Sequence, residues 1–382
     1  MVILVINCGS SSAKYQLFDA VKERSLAKGI VERIGGKESL LKHQRDGGVF
    51  EKKVVCRDHD VAIGIIADIL TDPVYGVIKS RGEICGIGHR VVHGGEEFTK
   101  SALINRKVVA SIEKYSELAP LHNPPALHGI RACVKIFKSV RQVAVFDTSF
   151  HHTMTETAYL YGIPYKYYEK YGIRRYGFHG TSHRYVAHKA AERLGRPLGE
   201  LKLITCHLGN GCSMAAVDSG RSVDTTMGFT PLEGLLMGTR SGDLDPAIVF
   251  YLMEKERASE HRVNDILNKE SGLLGISGVS NDMRDVLKAS RGRGANAGRA
   301  KIAIEIFIYR IKKYIGAYLA AMGGLDAVVF TAGIGENCPF VVNRITSGLK
   351  AVMPKGTKFL VIPTNEELLI ARDTLEIIER GE

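Results

Sequence analysis

The chain has 382 residues, 24% of them charged and 45% hydrophobic, with a formal net charge of +11. That length holds two or three domains, and the mixture is that of a globular protein rather than a disordered or fibrous chain. No stretch approaches 18 uninterrupted apolar residues, which argues against a membrane-spanning helix. Lys and Arg are dispersed without aromatic interleaving, so the positive charge suits the collection of small anions and nucleotides better than nucleic-acid binding. The seven cysteines are odd in number and contain no CxxC pair, which points to a reducing compartment and away from a zinc or disulfide framework.

The first residues carry no basic segment and read as a core strand, not a signal peptide. Residues 2–7 and 14–19 read as a hairpin around Asn7-Cys8-Gly9-Ser10-Ser11-Ser12. Helices are expected at 59–71, 107–117 and 126–138, and strands at 84–92 and 140–146. Thr181 or Ser182 caps a helix that ends at Gly195. The hairpin theme then recurs: the apolar run 203–206 enters His207-Leu208-Gly209-Asn210-Gly211, and a second run ends at Asp218, as the first ended at Asp19. Pro246 opens a helix at Ala247, and a long helix is expected over 296–322. Strand 326–331 enters Gly333-Ile334-Gly335-Glu336-Asn337, and strand 358–362 precedes a last helix from about 365. There Thr364 and Glu367 have capping-box spacing, which leaves Glu366 without a structural task.

Two hairpins with Gly, Ser and Asn at their tips let backbone N–H groups approach phosphate closely. Neither tip is a Walker A loop or a dinucleotide-binding turn, because strands follow both. The alternating strands and helices in two similar halves point to a two-lobe α/β protein.

Several residues stand out against this frame. Arg90 and Arg240 offer planar forks for carboxylate or phosphate, although a salt bridge accounts for either as well. His122 and Asn123 precede Pro124-Pro125, which stiffens the loop. Asp147 ends a buried strand, where ligands of α/β sheets gather. His179 and His183 have i,i+4 spacing, but there is no HExxH; His179 falls at a helix N-terminus that welcomes anions, and His183 reads as structural.

The ordered set NCGSSSAK, GHRVVHGG, HNPPAL, FDTSFH, YGFHGTSH, HLGNG, MGTRSGDLD, GIGEN and TNEE resembles the acetate kinase family over residues 2 to about 375. The resemblance implies duplicated ribonuclease H-like lobes of the sugar kinase, Hsp70 and actin fold, with an active-site cleft. The lobes are expected at 1–150 plus 368–382 and at 151–367, with hinges near 148–152 and 364–368. It implies reversible, magnesium-dependent (or manganese-dependent) in-line phosphoryl transfer between ATP and acetate, giving acetyl phosphate and ADP. Asn7 and Glu366 are implied as metal-linked. Lys14, His207 to Gly211, Asp282, Met283, Arg284 and Gly333 to Asn337 are implied at the nucleotide. Asp147, His179, Arg240, Arg90 and His122 are implied as catalytic. Val92, Leu121, Phe178 and Pro231 are implied around the substrate methyl group, with Val92 large enough to favour a short acid. A carboxylate needs no base, so Asp147 is expected to orient Arg90 or to place magnesium through water. The resemblance also implies a homodimer, and the cysteine usage leads to the expectation of a cytoplasmic location. Propionate as the preferred acid is the nearest alternative; an Hsp70-like or actin-like nucleotide switch is the alternative from another class, though it has no use for the two arginines.

Overall fold

The computed structural model describes residues 1–120 and 122–381. The chain forms two α/β units, one of Met1–Ser149 together with the residues from Asn365 on, the other of Phe150–Thr364. The return crossing therefore falls three residues earlier than expected. The reason is the cap of the C-terminal helix (Glu366–Arg380): Asn365, not Thr364, accepts from the Leu368 N–H. Glu366 and Glu367 are thus the first turn of a helix that belongs to the first unit.

In the first unit, β1 (Val2–Gly9) pairs antiparallel with β2 (Ser12–Asp19), which leads through β3 (Arg24–Glu32) and β4 (Ser39–Arg45) to β5 (Gly48–Val54). After α1 (His59–Leu70), β6 (Ile84–Val91) joins β1 in parallel. The short β7 (Ala102–Leu103), α2 (Arg106–Lys114) and α3 (Asn123–Ile136) follow, and β8 (Arg141–Phe146) lies parallel to β6. The strand order is β5-β4-β3-β2-β1-β6-β8-β7.

Alternation along β1 decides what each face meets. Leu4, Ile6 and Cys8 join a core with Ile63, Ile66 and Cys133 of α1 and α3. The other face meets the C-terminal helix. A Cβ on Gly86 would lie 2.0 Å from Ile378 Cδ1, and one on Gly88 2.4 Å from Thr374 Oγ1, so these two glycines let the helix lie flat on β6. Asn7 and Arg90 share that face by the same alternation, Asn7 standing opposite Lys14 across the hairpin.

The second unit contains α4 (Gly180–Leu194), β9 (Lys202–Leu208), β10 (Cys212–Asp218), β11 (Arg221–Thr225) and α5 (Ala247–Lys255). Next come α6 (Met283–Ser290), α7 (Ala295–Met322), β12 (Ala327–Thr331), α8 (Ala332–Asn337), α9 (Pro339–Ser347) and β13 (Lys358–Val361). Its sheet runs β11-β10-β9-β12-β13. Three antiparallel strands followed by two parallel ones repeat the order β3-β2-β1-β6-β8, so the two hairpins noted in the sequence are equivalent pieces of two ribonuclease H-like lobes.

Buried histidines make the first unit acid-sensitive. His89 Nε2 lies 2.8 Å from Gln142 Oε1, and burial pushes its pKa down to about 4. His93 Nδ1 accepts from the Gly95 N–H, and burial pushes it down to about 3. Unfolding frees both to bind protons below about pH 6.5, so acidification favours the unfolded state. Glu366 works the other way: burial raises its pKa to about 7, so one proton is taken up on folding as the pH falls. Two histidines against one carboxyl leave about one proton net, and His43 and His183, also lowered by burial, act in the same direction, so ~2 kcal/mol or more is lost between pH 6.5 and 5. Urea melts followed by circular dichroism at these pH values check this; a constant midpoint contradicts it.

Candidate active site

The first unit gathers an arginine and two acids on the face of the C-terminal helix. Asp147 follows β8, and its N–H bonds the Val91 carbonyl, so it is held level with the end of β6. Both its carboxylate oxygens accept from Arg90: Nη2 donates to Oδ2 at 2.7 Å, and Nε reaches Oδ2 at 3.1 Å and Oδ1 at 3.3 Å. Glu366 Oε2 lies 3.4 Å from the same Nη2. Burial opposes the charge on Arg90, but Asp147 and Glu366 outweigh it and raise its pKa. For Glu366 burial dominates over Arg90, and the Asp147 and Glu367 charges push the same way as burial. Two acids around one arginine leave a surplus of negative charge and oxygen donors, with Asn7 on the same face.

His122 caps α3 with its backbone, and the helix starts three residues before the expected 126, because Pro124 and Pro125 fit its first turn. Its neighbour Asn123 does work the sequence did not reveal. Its amide is wholly buried, accepts from the His93 N–H and donates to the His93 carbonyl, and so pins the segment after β6 that carries the half-buried Val92. Leu121 lies outside the described residues.

The second unit carries a histidine cluster at the head of α4. His179, rather than Thr181 or Ser182, is the N-cap, in a left-handed conformation with φ 56°. Its ring stacks on His207 with centroids 4.2 Å apart. His207 Nδ1 bonds Ser182 Oγ, which meets Thr364 Oγ1 at 2.9 Å. Arg240 Nη1 reaches the Pro231 carbonyl at 3.3 Å. Among the described residues Arg240 has no carboxylate partner, and burial lowers its pKa from the usual arginine value. A Cβ on Gly211 would stand 3.4 Å from His179 Cε1 and 3.5 Å from both Arg240 Nη1 and His179 Nε2, so the glycine leaves a small space beside these two side chains. Phe178, 2% exposed, is a core residue whose carbonyl accepts from His151 Nε2.

A cavity of about 570 Å³ lies in the same unit, lined by Gly209, Asn210, Asp282, Met283, Arg284, Gly333, Ile334 and Asn337. All eight belong to the expected nucleotide set. Asn281, Leu287, Cys338, Pro339 and Phe340 complete the lining and carried no motif signal. His207, Leu208, Gly211, Gly335 and Glu336 are not in the wall. Glu336 turns inward instead: one carboxylate oxygen accepts from the N–H groups of Ala332 and Thr364 and from Thr331 Oγ1, fixing the loop after β12. Asp282 caps α6 and pairs with Arg284, whose hydrogen bonds hold its carboxyl down to about 2. Lys14 is exposed in the first unit, where its charge reaches Glu366.

A duplicated α/β chain with an arginine–carboxylate set in one lobe, and an arginine and a histidine together with a nucleotide-sized cavity in the other, has the parts of a phosphotransferase. The model of the acetokinase family matches residues 2–358. Over 99% of its length the chain is 55% identical to the acetate kinase of Halothermothrix orenii, all of which is covered. It is 54% identical to that of Carboxydothermus hydrogenoformans, with 99% of each chain covered. The crystal structure of Porphyromonas gingivalis acetate kinase superposes with a TM-score of 0.92 at 43% identity, covering 99% of both chains. That of a propionate kinase from Francisella tularensis gives 0.91 at 42%, covering 98% of this chain and 99% of that one. The chain belongs to the acetokinase family.

Proposed function

We propose that the protein transfers a phosphoryl group reversibly between ATP and acetate, forming acetyl phosphate and ADP. The observation that carries this reading is Arg240: a half-buried guanidinium with no carboxylate partner among the described residues, beside His179 at Gly211. Such a pair stabilises the charge of a phosphoryl in flight. Acetate is already a carboxylate at neutral pH, so no group need take a proton from it, and the work is alignment and charge neutralisation. Arg90, fixed by Asp147, serves the carboxylate side of the reaction, and the cavity at Asn210, Asp282 and Asn337 takes the adenosine end.

The oxygen donors fit a magnesium ion. No group of three His, Cys, Asp or Glu able to hold a metal exists among the described residues, and magnesium is commonly bound through substrate phosphates and water. Asn7 and Glu366 would hold it, and manganese would be accepted at the same oxygens. When bound, the metal neutralises charge on the phosphate oxygens. We further propose a homodimer, supported by α5, which buries none of its residues and exposes Ile248, Phe250 and Tyr251. A cytoplasmic location agrees with seven free cysteines; no helix is long and apolar enough to cross a membrane.

Propionate is the second reading, favoured by the similarity to the Francisella enzyme. One methylene is worth about 1–3 kcal/mol in an apolar pocket, so propionate is expected as a slower but real substrate. Initial rates of ADP release with acetate, propionate and butyrate decide. Acetate is expected to give the highest kcat/KM. Propionate ahead of acetate changes the substrate but keeps the mechanism; no acid-dependent turnover overturns it.

A further inference from the structure

Residues 229–233 of the second unit lie outside any strand or helix and carry Pro231. Backbone bonds fix the stretch at both ends. At one end the Gly228 carbonyl accepts from the N–H groups of Tyr176 and Gly177, at 3.1 and 3.2 Å. At the other the Gly234 N–H donates to Asp243 Oδ1 at 2.8 Å, and Asp243 Oδ2 accepts from Tyr314 Oη at 2.6 Å.

Between those ends, side chains do the holding. Arg175 Nη2 donates to Glu233 Oε1 at 2.5 Å, and Tyr161 Oη donates to Glu233 Oε2. The same phenol oxygen accepts from the Phe229 N–H at 2.8 Å. Arg175 Nη1 donates to the carbonyls of Thr225, Thr226 and Met227, at 2.9, 3.1 and 3.3 Å. The guanidinium is thus shared between the end of β11 and the Pro231 stretch. Burial opposes its charge, but Glu233 outweighs burial and raises its pKa. Each carboxylate oxygen of Glu233 has its own donor, so the group is held in one orientation. A Cβ on Gly228 would lie 1.7 Å from Glu233 Oε2 and 2.1 Å from Tyr161 Oη, so the glycine lets carboxylate and phenol meet against the backbone.

This brace joins two segments that matter for the acid. Pro231 precedes Glu233 by two residues, and its carbonyl accepts from Arg240 Nη1 at 3.3 Å. Phe178 follows Arg175 by three residues, and its carbonyl is held by His151 Nε2 at 3.0 Å. Pro231 and Phe178 are the two residues of this unit implied around the substrate methyl group. An apolar pocket rejects an extra methylene only as far as its walls refuse to move, because the penalty is one of overlap and strain.

We propose that Arg175, Glu233 and Tyr161 set the length of acid that the protein accepts, by fixing Pro231 relative to the segment that carries Phe178. The proposal rests on the phosphoryl-transfer reading and deepens it. The three are positioning residues, which act on the acid through Pro231.

The test is the propionate-to-acetate ratio of kcat/KM. Both acids are measured on one preparation, so the fraction of folded enzyme divides out and a loss of stability alone leaves the ratio unchanged. One methylene is worth about 10- to 200-fold in an apolar pocket, and freeing one wall is expected to give back about tenfold of it. Glu233→Gln should therefore raise the ratio about tenfold, with the KM for ATP little changed. Tyr161→Phe removes one hydroxyl, keeps the ring, and should raise the ratio about threefold. Amide hydrogen exchange followed by mass spectrometry should quicken over 228–234 in both variants, while β9 and β10 stay protected. A ratio that falls, or that stays within about twofold of wild type in both variants, overturns the proposal, as does unchanged exchange over 228–234. If Glu233→Gln fails to fold, Tyr161→Phe decides. Absence of acid-dependent turnover in the wild type strikes the function reading; turnover with an unmoved ratio strikes the proposal alone.

Discussion

Arg240→Ala is expected to lower kcat by about a hundred- to a thousandfold while leaving the KM for ATP little changed. The magnitude is that of removing one preorganised donor from a site where charge develops. The split between the constants follows from where Arg240 stands. It is absent from the wall of the 570 Å³ cavity, and its Nη1 stands beside Gly211 together with His179 Nε2. Its contribution therefore grows as charge develops at the phosphoryl, which is the condition for an effect on kcat rather than on ground-state binding. No acid is left unpaired by the substitution, so the fold should survive it, and thermal melts should differ little from wild type. Arg240→Lys keeps the charge but loses the planar fork and should recover only part of the rate. Steady-state rates with ATP and acetate as each is varied check this; a loss below about tenfold would remove Arg240 from the reaction.

The hairpins were legible because each combines a strongly apolar strand with a tip that only Gly, Ser and Asn suit, and because the pattern occurs twice. The long helix was legible for a similar reason: its buried Ala300, Ile304, Phe307, Ile311 and Ile315 keep helical spacing, and Gly323 stops it in a left-handed cap. Strands β3 to β5 escaped notice because β5 is almost wholly exposed, and its Glu, Lys and Lys look like a solvated loop. Only pairing with a neighbour makes such a segment a strand.

The candidate site divides along the same line. Arg90, Asp147, His179 and Arg240 lie in short motifs dense with Gly and His, so each could be singled out. Ser213, Thr205 and Asn123 could not, because a serine in a strand or an asparagine before prolines has many ordinary uses. Their work comes from partners 11 to 34 positions away along the chain, such as His179 for Ser213 and His93 for Asn123. Glu336 marks the opposite case. Its motif drew attention to the right loop, but its carboxylate bonds three groups of the loop and strand end instead of lining the cavity. A motif locates a segment; which of its side chains turn inward is decided by unpaired backbone N–H groups, here those of Ala332 and Thr364.

Asp147→Asn is expected to lower kcat/KM for acetate on the order of a hundredfold, because an amide offers Arg90 one oxygen acceptor where the carboxylate offers two charged ones. The change also alters Glu366 in a direction that can be worked out. In the native protein the Asp147 charge raises the Glu366 pKa, while Arg90 lowers it. Removing that charge takes away the repulsion and leaves Arg90 with Glu366 as its remaining acid, so the Glu366 carboxyl should titrate below its native value of about 7. Carbon-13 spectra of glutamate-labelled, metal-free protein, with Glu366→Gln to assign the signal, measure the shift apart from turnover. Arg90 is expected to swing toward Glu366, which should appear mainly as a higher KM for the acid and a smaller change for ATP. A Glu366 titration that stays put or moves up would mean that Asp147 and Glu366 do not share Arg90 in solution. Near-normal turnover in the variant would mean that the orientation of Arg90 does not limit the reaction.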